Sequence, residues 1–228
     1  MASTKYKCPY CGKEFTKERT LQVHLCEPKR RYLQKDEKWV VNAFMVFQRF
    51  YQIHQHNSKE KTYDDFVKSS YYNAFVKFGR FIMHINPLYP EKYIDFVLKS
   101  KIKLDHWARD DLYETYLIEA IKSEPVEAAL QRSITTMMDW ANEQNAQWSD
   151  YFRLVNTNRA VQHIQQGRIS PWLLLGCNAG QRMLKSFNDE QLQMIERFIN
   201  PSFWPSKLKS YPADHMLVQD TAKEAKIV

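Results

Sequence analysis

Residues 39–51 read WVVNAFMVFQRFY. Trp39, Val40, Ala43, Phe44, Phe47, Phe50 and Tyr51 recur at the spacing of one broad helical face, which predicts an amphipathic α-helix. It begins after the charged junction Lys35-Asp36-Glu37-Lys38 and ends near His56-Asn57-Ser58. The chain beyond reads in the same way. Thr62 precedes a second helix carrying Phe66, Tyr71, Phe75, Phe78 and Ile82, stopped by Asn86-Pro87. Pro90 opens a third through Tyr93, Phe96, Val97 and Leu98, since proline is tolerated in a first helical turn. A fourth begins near Leu104 or Asp105 and runs to the Ser123-Glu124-Pro125 break, and a fifth covers Val126 to about Trp140. Apolar residues continue through 148–166. Ser170 as cap and Pro171 as first residue then start a long helix with Trp172, Leu173, Cys177, Met183 and Leu184. Gly176 and Gly180 on it would let another helix approach closely, and after residue 206 the chain turns polar, which predicts a flexible tail.

Composition agrees with helices. With only 5 glycines and 14% aromatic residues, the chain lacks the turn chemistry of a many-stranded β fold. The expected class is all-α. Its 228 residues suffice for one well-cored domain with a small attachment, or for two modest domains. The expected division is 1–34, a front module with a basic connector; 35–103 and 104–205, two helical sub-bundles; and 206–228, the tail. No leader is read at the front, and no apolar run approaches the ~18–20 residues of a membrane span. A soluble, cytoplasmic protein without a membrane partner is expected. Three of the four cysteines fall within residues 8–26, a spacing that reads as thiolate ligands in a reducing compartment and not as disulfides.

Charge is concentrated at the front. Residues 1–35 carry nine basic residues against three glutamates, so +6 of the chain's formal +7 lies there. Attraction for polyanions is therefore expected of the front module, with a solvated basic tail as the bland alternative.

That module reads CPYCGKEFTKERTLQVHLCEPKRR over residues 8–31. Tyr6, Cys8, Cys11, Phe15, Leu21 and His24 follow the order aromatic-x-Cys-x2-Cys-x3-Phe-x5-Leu-x2-His, with twelve residues between Cys11 and His24. This resembles the Cys2His2 zinc-finger family across residues 6–26, which implies a ββα-like module. Gly12 gives backbone freedom at the turn, Thr16 can cap the helix, and Phe15 and Leu21 form a minimal core that a metal must nucleate. The departure is the fourth ligand, because no second histidine follows His24 at three to five residues and positions 28–30 are Pro, Lys and Arg. Cys26 is the nearby candidate. On a regular helix, positions two apart diverge by ~200°, so the helix must stop or unwind between His24 and Cys26. The reading is a tetrahedral Zn2+ site of Cys8, Cys11, His24 and Cys26; a three-ligand site completed elsewhere and a metal-free segment stay open.

In the family's usual docking, the positions that read bases would here be Lys17, Thr20 and Val23. Lys17 can reach guanine, whereas Thr20 and Val23 discriminate weakly. One finger spans about three base pairs, so the expectation is largely sequence-independent phosphate contact by Lys17, Arg19, Lys29, Arg30, Arg31 and Lys35, with Thr20 beside them. A finger used to dock protein is the alternative. In the body, Tyr71 and Tyr72 with Lys68, Lys77 and Arg80 could line a surface where bases stack beside phosphates, or the tyrosines could fill the bundle.

A second resemblance runs collinearly over residues 40–211. A Tyr-rich helix (Tyr71 to Phe81), a Trp-Asp turn (Trp107, Asp110), a Tyr-x2-Tyr-Leu helix (Tyr113 to Leu117), Ile-Ser before a long apolar helix (Ile169 to Leu184) and a late Trp-x3-Leu-Lys (Trp204 to Lys209) look like the helicase-loading factor of T-even-type tailed phages. That resemblance implies an all-α, two-part accessory of DNA replication in the host cytoplasm. Its partners would be forked or single-stranded DNA, a replicative helicase and a single-strand-binding protein. The finger is absent from that family's pattern and would supplement the DNA contact.

Enzyme chemistry finds little to build on. Asp110, Asp111 and Glu114 fit a helix N-terminal charge, and His84, His106 and His163 lack a partnered nucleophile in any recognisable motif. His54 and His56 are a weak second metal pair, and Cys177 reads as a core thiol. GxxxxGK[ST] is absent, so no nucleotide partner is expected.

Overall fold

Tyr6–Lys7 (β1) and Glu14–Phe15 (β2) pair antiparallel, Tyr6 opposite Phe15 and Lys7 opposite Glu14. This hairpin opens a computed structural model that describes residues 5–55 and 59–227. The remaining regular elements among the described residues are helices, as the sequence pattern requires. The chain separates into two units, Met1–Tyr113 and Glu114–Val228. The division falls inside a helix, ten residues beyond the expected 103/104 boundary.

In the first unit, α1 (Glu18–Val23) and α2 (Glu27–Leu33) follow the hairpin. The basic connector expected at 29–31 is thus helical: Pro28 sits in the first turn of α2, where its missing N–H costs nothing. Thr16 does not cap α1, whose N-cap is Lys17 without a side-chain bond. The helix read from 39–51 is α3 (Lys38–His54); His56 lies outside the described residues.

The single helix expected after Thr62 is two, α4 (Tyr63–Lys68) and α5 (Tyr72–Ile85). Thr62 and Asp65 form a reciprocal capping box on α4, and Ser69 turns extended, its Oγ accepting from the Tyr71 N–H at 3.1 Å. That local bond interrupts a continuous apolar period. Helix α6 (Pro90–Lys99) starts at its proline as expected. A 3-10 turn at Leu104–His106 precedes α7 (Asp110–Ser123), so the fourth helix starts later than its apolar pattern suggests.

An aromatic core joins these helices. Phe47, Phe66, Phe75, Phe78, Tyr93 and Trp107 are all buried, each large ring contributing roughly 1.5–3 kcal/mol by leaving water. Helices α3 and α5 touch through Gly79, where a Cβ would stand 2.3 Å from the Trp39 carbonyl oxygen and 2.9 Å from the Ala43 nitrogen.

The second unit holds α8 (Val126–Gln144), α9 (Tyr151–Leu154), α10 (Thr157–Gln165), α11 (Pro171–Gly176), α12 (Asn178–Leu184), α13 (Asp189–Ile199), α14 (Trp204–Ser210) and α15 (Pro212–Glu224). The long helix expected from Ser170 breaks at Cys177, whose backbone is extended and whose Sγ accepts from the Gly180 N–H at 3.4 Å. Cys177 is buried, as read, but it stands at a helix junction. Gly176 does admit a neighbour, Val218 of α15; Gly180 instead fits under the Leu174 carbonyl of the preceding helix. The expected flexible tail is corrected in the same place. Val218 is fully buried and Ala222 nearly so, which anchors α15 although its sequence is largely polar. Among the described residues no helix is long and apolar enough to cross a membrane.

Candidate metal centre and basic surface

The hairpin turn positions the first two ligands. Gly12 adopts φ 74°, its N–H donates to the Cys8 carbonyl at 2.9 Å, and the Cys8 N–H donates to the Lys13 carbonyl at 2.9 Å. This tight turn holds Cys8 and Cys11 on one side. The other two ligands come from the junction between α1 and α2. His24 ends α1 with ψ 119° and Cys26 precedes α2 with ψ 163°, both extended. In extended chain, residues two apart point to the same face. The helix stop therefore lets His24 and Cys26 converge.

The four ligand atoms all lie within 4.8 Å of one another. Cys8 Sγ is 3.9 Å from Cys26 Sγ, and Cys11 Sγ is 3.3 Å from His24 Nε2. A tetrahedral ion with sulfur ligands at about 2.3 Å and nitrogen at about 2.0 Å has edges of roughly 3.5–3.8 Å. The Cys3His set fits such an ion, and the fit rests on donor chemistry as well as distance. Burial alone would raise the Cys8 thiol, but the backbone N–H groups of Cys11 and Tyr10 outweigh it and bring Cys8 below the ordinary thiol value. Cys11 goes the other way: a backbone donor at Lys13 lowers it, and this is overcome by burial and by the neighbouring thiols Cys26 and Cys8. Thiols crowded in this way repel one another as thiolates, and a cation relieves that repulsion.

Packing holds the site in place. The Phe15 ring lies 4.8 Å from the His24 imidazole, and Lys29 Nζ donates to the His24 carbonyl at 3.0 Å, closing the orphan end of α1. Tyr32 of α2 touches Tyr10 of the hairpin at 5.3 Å and Tyr63 at the start of α4 at 5.7 Å, and its hydroxyl donates to the Asp64 carboxylate.

The residues expected to meet phosphate separate into two sets. Lys17, Arg19 and Thr20 are exposed on the first turn of α1, with Lys35 exposed after α2. Val23, at the third reading position, is 74% exposed. Lys29 and Arg31 are committed inside the protein. Lys29 holds His24, while Arg31 donates to the Val67 carbonyl at 2.5 Å and to Glu27 Oε1 at 2.6 Å, its guanidinium 4.3 Å from the Tyr72 ring. Arg30 stays exposed beside Lys77 and Arg80 of α5, and these three line one recess together with Arg31.

The paired-tyrosine platform is not formed. Tyr72 is buried under Arg31, whereas Tyr71 is 59% exposed, because consecutive residues at a helix start point apart. Lys68 is exposed on α4 and does not line the recess. The carboxylates 110, 111 and 114 form no metal set among the described residues: Asp110 and Asp111 begin α7, Asp111 pairs with Arg109 at 2.5 Å, and Glu114 pairs with Arg197 at 2.7 Å. His54 Nδ1 contacts the Phe50 carbonyl at 2.8 Å.

The meeting of Arg30 with Lys77 and Arg80 was not foreseeable from spacing, since the partners lie some fifty residues apart. The only signal in the sequence is that Lys77 and Arg80 share a helical face. Comparison of the chain with protein-family models, with curated proteins and with solved structures finds no match in any of the three.

Proposed function

We propose that this protein is a non-enzymatic, zinc-dependent DNA-binding accessory of replication, of the helicase-loading type. Zn2+ would sit on Cys8, Cys11, His24 and Cys26 and supply the folding energy that a module of this size lacks. The observation that carries the reading is a Cys3His cluster beside free cations. Lys17 and Arg19 stand in the open next to it, and no ligand is a carboxylate. Contacts of this kind favour polyanion backbones with little sequence preference. The helical body would then dock the replicative helicase, with single-strand-binding protein as a further partner. The test is binding to matched forked, single-stranded and duplex DNA across a salt series, with and without chelator. Preference for forks or single strands, lost on chelation, supports the reading; tight binding to one duplex sequence sinks it.

A second reading, a zinc-finger adaptor that docks protein or duplex DNA, is favoured by one observation. Val23, Leu25 and Leu33 around the module are 74%, 61% and 67% exposed. DNA affinity untouched by chelation would select it.

A further inference from the structure

Helices α2 and α5 face each other across a recess of about 390 Å³ whose lining is unusual in its charge. Arg30, Arg31, Lys77 and Arg80 contribute four cations, Gln34 and Asn73 contribute amides, and among the described residues no carboxylate lines it. Beyond residue 35 the chain is nearly neutral, so this is a local excess and not a general basicity. Helical geometry explains the convergence. Arg30 and Gln34, the C-cap residue of α2, are one turn apart, and Asn73, Lys77 and Arg80 occupy successive turns of α5, so each wall turns a polar row toward the gap.

Three of the cations have little to neutralise them. Among the described residues Arg30 has only Glu27, at 3.8 Å; Lys77 reaches a carbonyl, that of Asp105, at 3.5 Å; Arg80 rests over the Trp39 ring at 5.4 Å and stays exposed. Arg31 is held rigidly by the Val67 carbonyl and Glu27, and its Nε has no acceptor among the described residues. Like charges gathered without acids raise the local potential by mutual repulsion, and a bound anion lowers it.

We propose that this recess is a seat for the phosphodiester backbone of an unpaired DNA strand. The proposal rests on the DNA-binding reading above and names a second contact for the same ligand. A concave gap between two helices admits one flexible sugar-phosphate chain, whereas a duplex, stiff and convex, can touch only its rim. Arg30 and Arg80 present planar forks suited to phosphate oxygens, Lys77 a point charge, and Asn73 and Gln34 neutral donors. The α2 wall is also tied to the metal centre, because Cys26 is both ligand and N-cap of the helix that carries Arg30.

The test compares the zinc-loaded wild-type chain with Lys77→Ala/Arg80→Ala and with the charge-keeping pair Lys77→Arg/Arg80→Lys, on an oligo-dT strand and a matched duplex in increasing NaCl. Circular dichroism checks that each variant is folded. The alanine pair is expected to lose about tenfold in single-strand affinity. Its log K against log salt slope should shrink by about 1.4, roughly 0.7 for each lost phosphate contact. Duplex affinity should stay unchanged, and the charge-keeping pair should retain the wild-type slope. Unchanged single-strand affinity and slope in a folded alanine pair overturn the seat while leaving the DNA-binding reading intact. A wild-type chain that binds no DNA overturns both. Thermal stabilisation of wild type by inorganic phosphate, absent in the alanine pair and without strand binding, overturns the strand in favour of a free anion.

Discussion

Cys26 stands 3.9 Å from Cys8 across the metal centre and is at the same time the N-cap residue of α2. One residue thus completes the Cys3His set and starts the helix that carries Arg31 and Tyr32 onto α4. A metal held by this cluster would consequently be coupled to the docking of α2 through a single backbone position.

Metal removal should unfold the front without melting the body. Residues 5–26 have one buried side chain, Cys8, whereas α3, α5 and α6 share the aromatic core. In zinc-finger peptides the ion contributes about 10–16 kcal/mol of apparent binding energy. Chelation is expected to abolish amide protection over the hairpin and α1 while leaving α3 and α5 protected. Hydrogen exchange with and without chelator reads this directly, and equal loss in both regions would refute it.

Gly79→Ala should destabilise the first unit by about 1–3 kcal/mol, the range of core overpacking. Alanine gains up to about 1 kcal/mol in helix propensity over glycine. That gain loses here, because the new methyl meets backbone, the Trp39 carbonyl at 2.3 Å, and not a side chain that can swing away. Urea unfolding followed by tryptophan fluorescence measures the difference.

A buried ion pair fixes the start of α8 against the loop before α11. Glu124 and Arg132 are bonded at 2.5 and 2.6 Å, Arg132 Nε donates to the Gly167 carbonyl at 2.6 Å, and the Ser170 hydroxyl donates to Glu124 at 3.3 Å. Arg132→Met removes the cation from a buried carboxylate that keeps the Ser170 hydroxyl, and should cost about 3–5 kcal/mol. Arg132→Met/Glu124→Gln should recover part of that loss, as measured by a double-mutant cycle in urea.

Stability should fall in mild acid through His163. Its Nδ1 lies 2.8 Å from the buried Tyr151 hydroxyl, and burial, aided by the cations of Arg159 and Arg168, pushes its pKa from 6.5 down to about 4. Between those values the unfolded chain binds the proton and the folded chain does not. The contribution is therefore whole above about 6.5, declines as pH falls toward 4, and amounts to at most about 3 kcal/mol. Urea midpoints of wild type and His163→Gln across this window should differ in slope; parallel slopes would refute the assignment.

What was legible in the sequence depended on whether a pattern is local. The face of α3 and the ligand set both follow from fixed spacings along one segment, so both were read from the residues. The breaks at Ser69 and Cys177 were hidden, because the apolar period runs on through Tyr71–Phe75 and Trp172–Met183 while single side-chain bonds turn the backbone. The buried end of α15 was hidden by its polar composition, since one apolar residue, Val218, with His215 beside it, fills the space over Gly176. The recess joins Arg30 to Arg80, and the Glu124–Arg132 pair looked like part of a helix break. Neither leaves a periodic trace.

The most direct measurement is the optical spectrum of the Co2+-substituted full chain beside that of Cys26→Ser, with metal content determined on both. One zinc per chain as purified is predicted. The cobalt form should show tetrahedral bands and a thiolate charge-transfer intensity of three sulfurs, falling to that of two in Cys26→Ser. A wild-type chain without stoichiometric metal, or a spectrum unchanged by Cys26→Ser, would contradict closure of the site by Cys26.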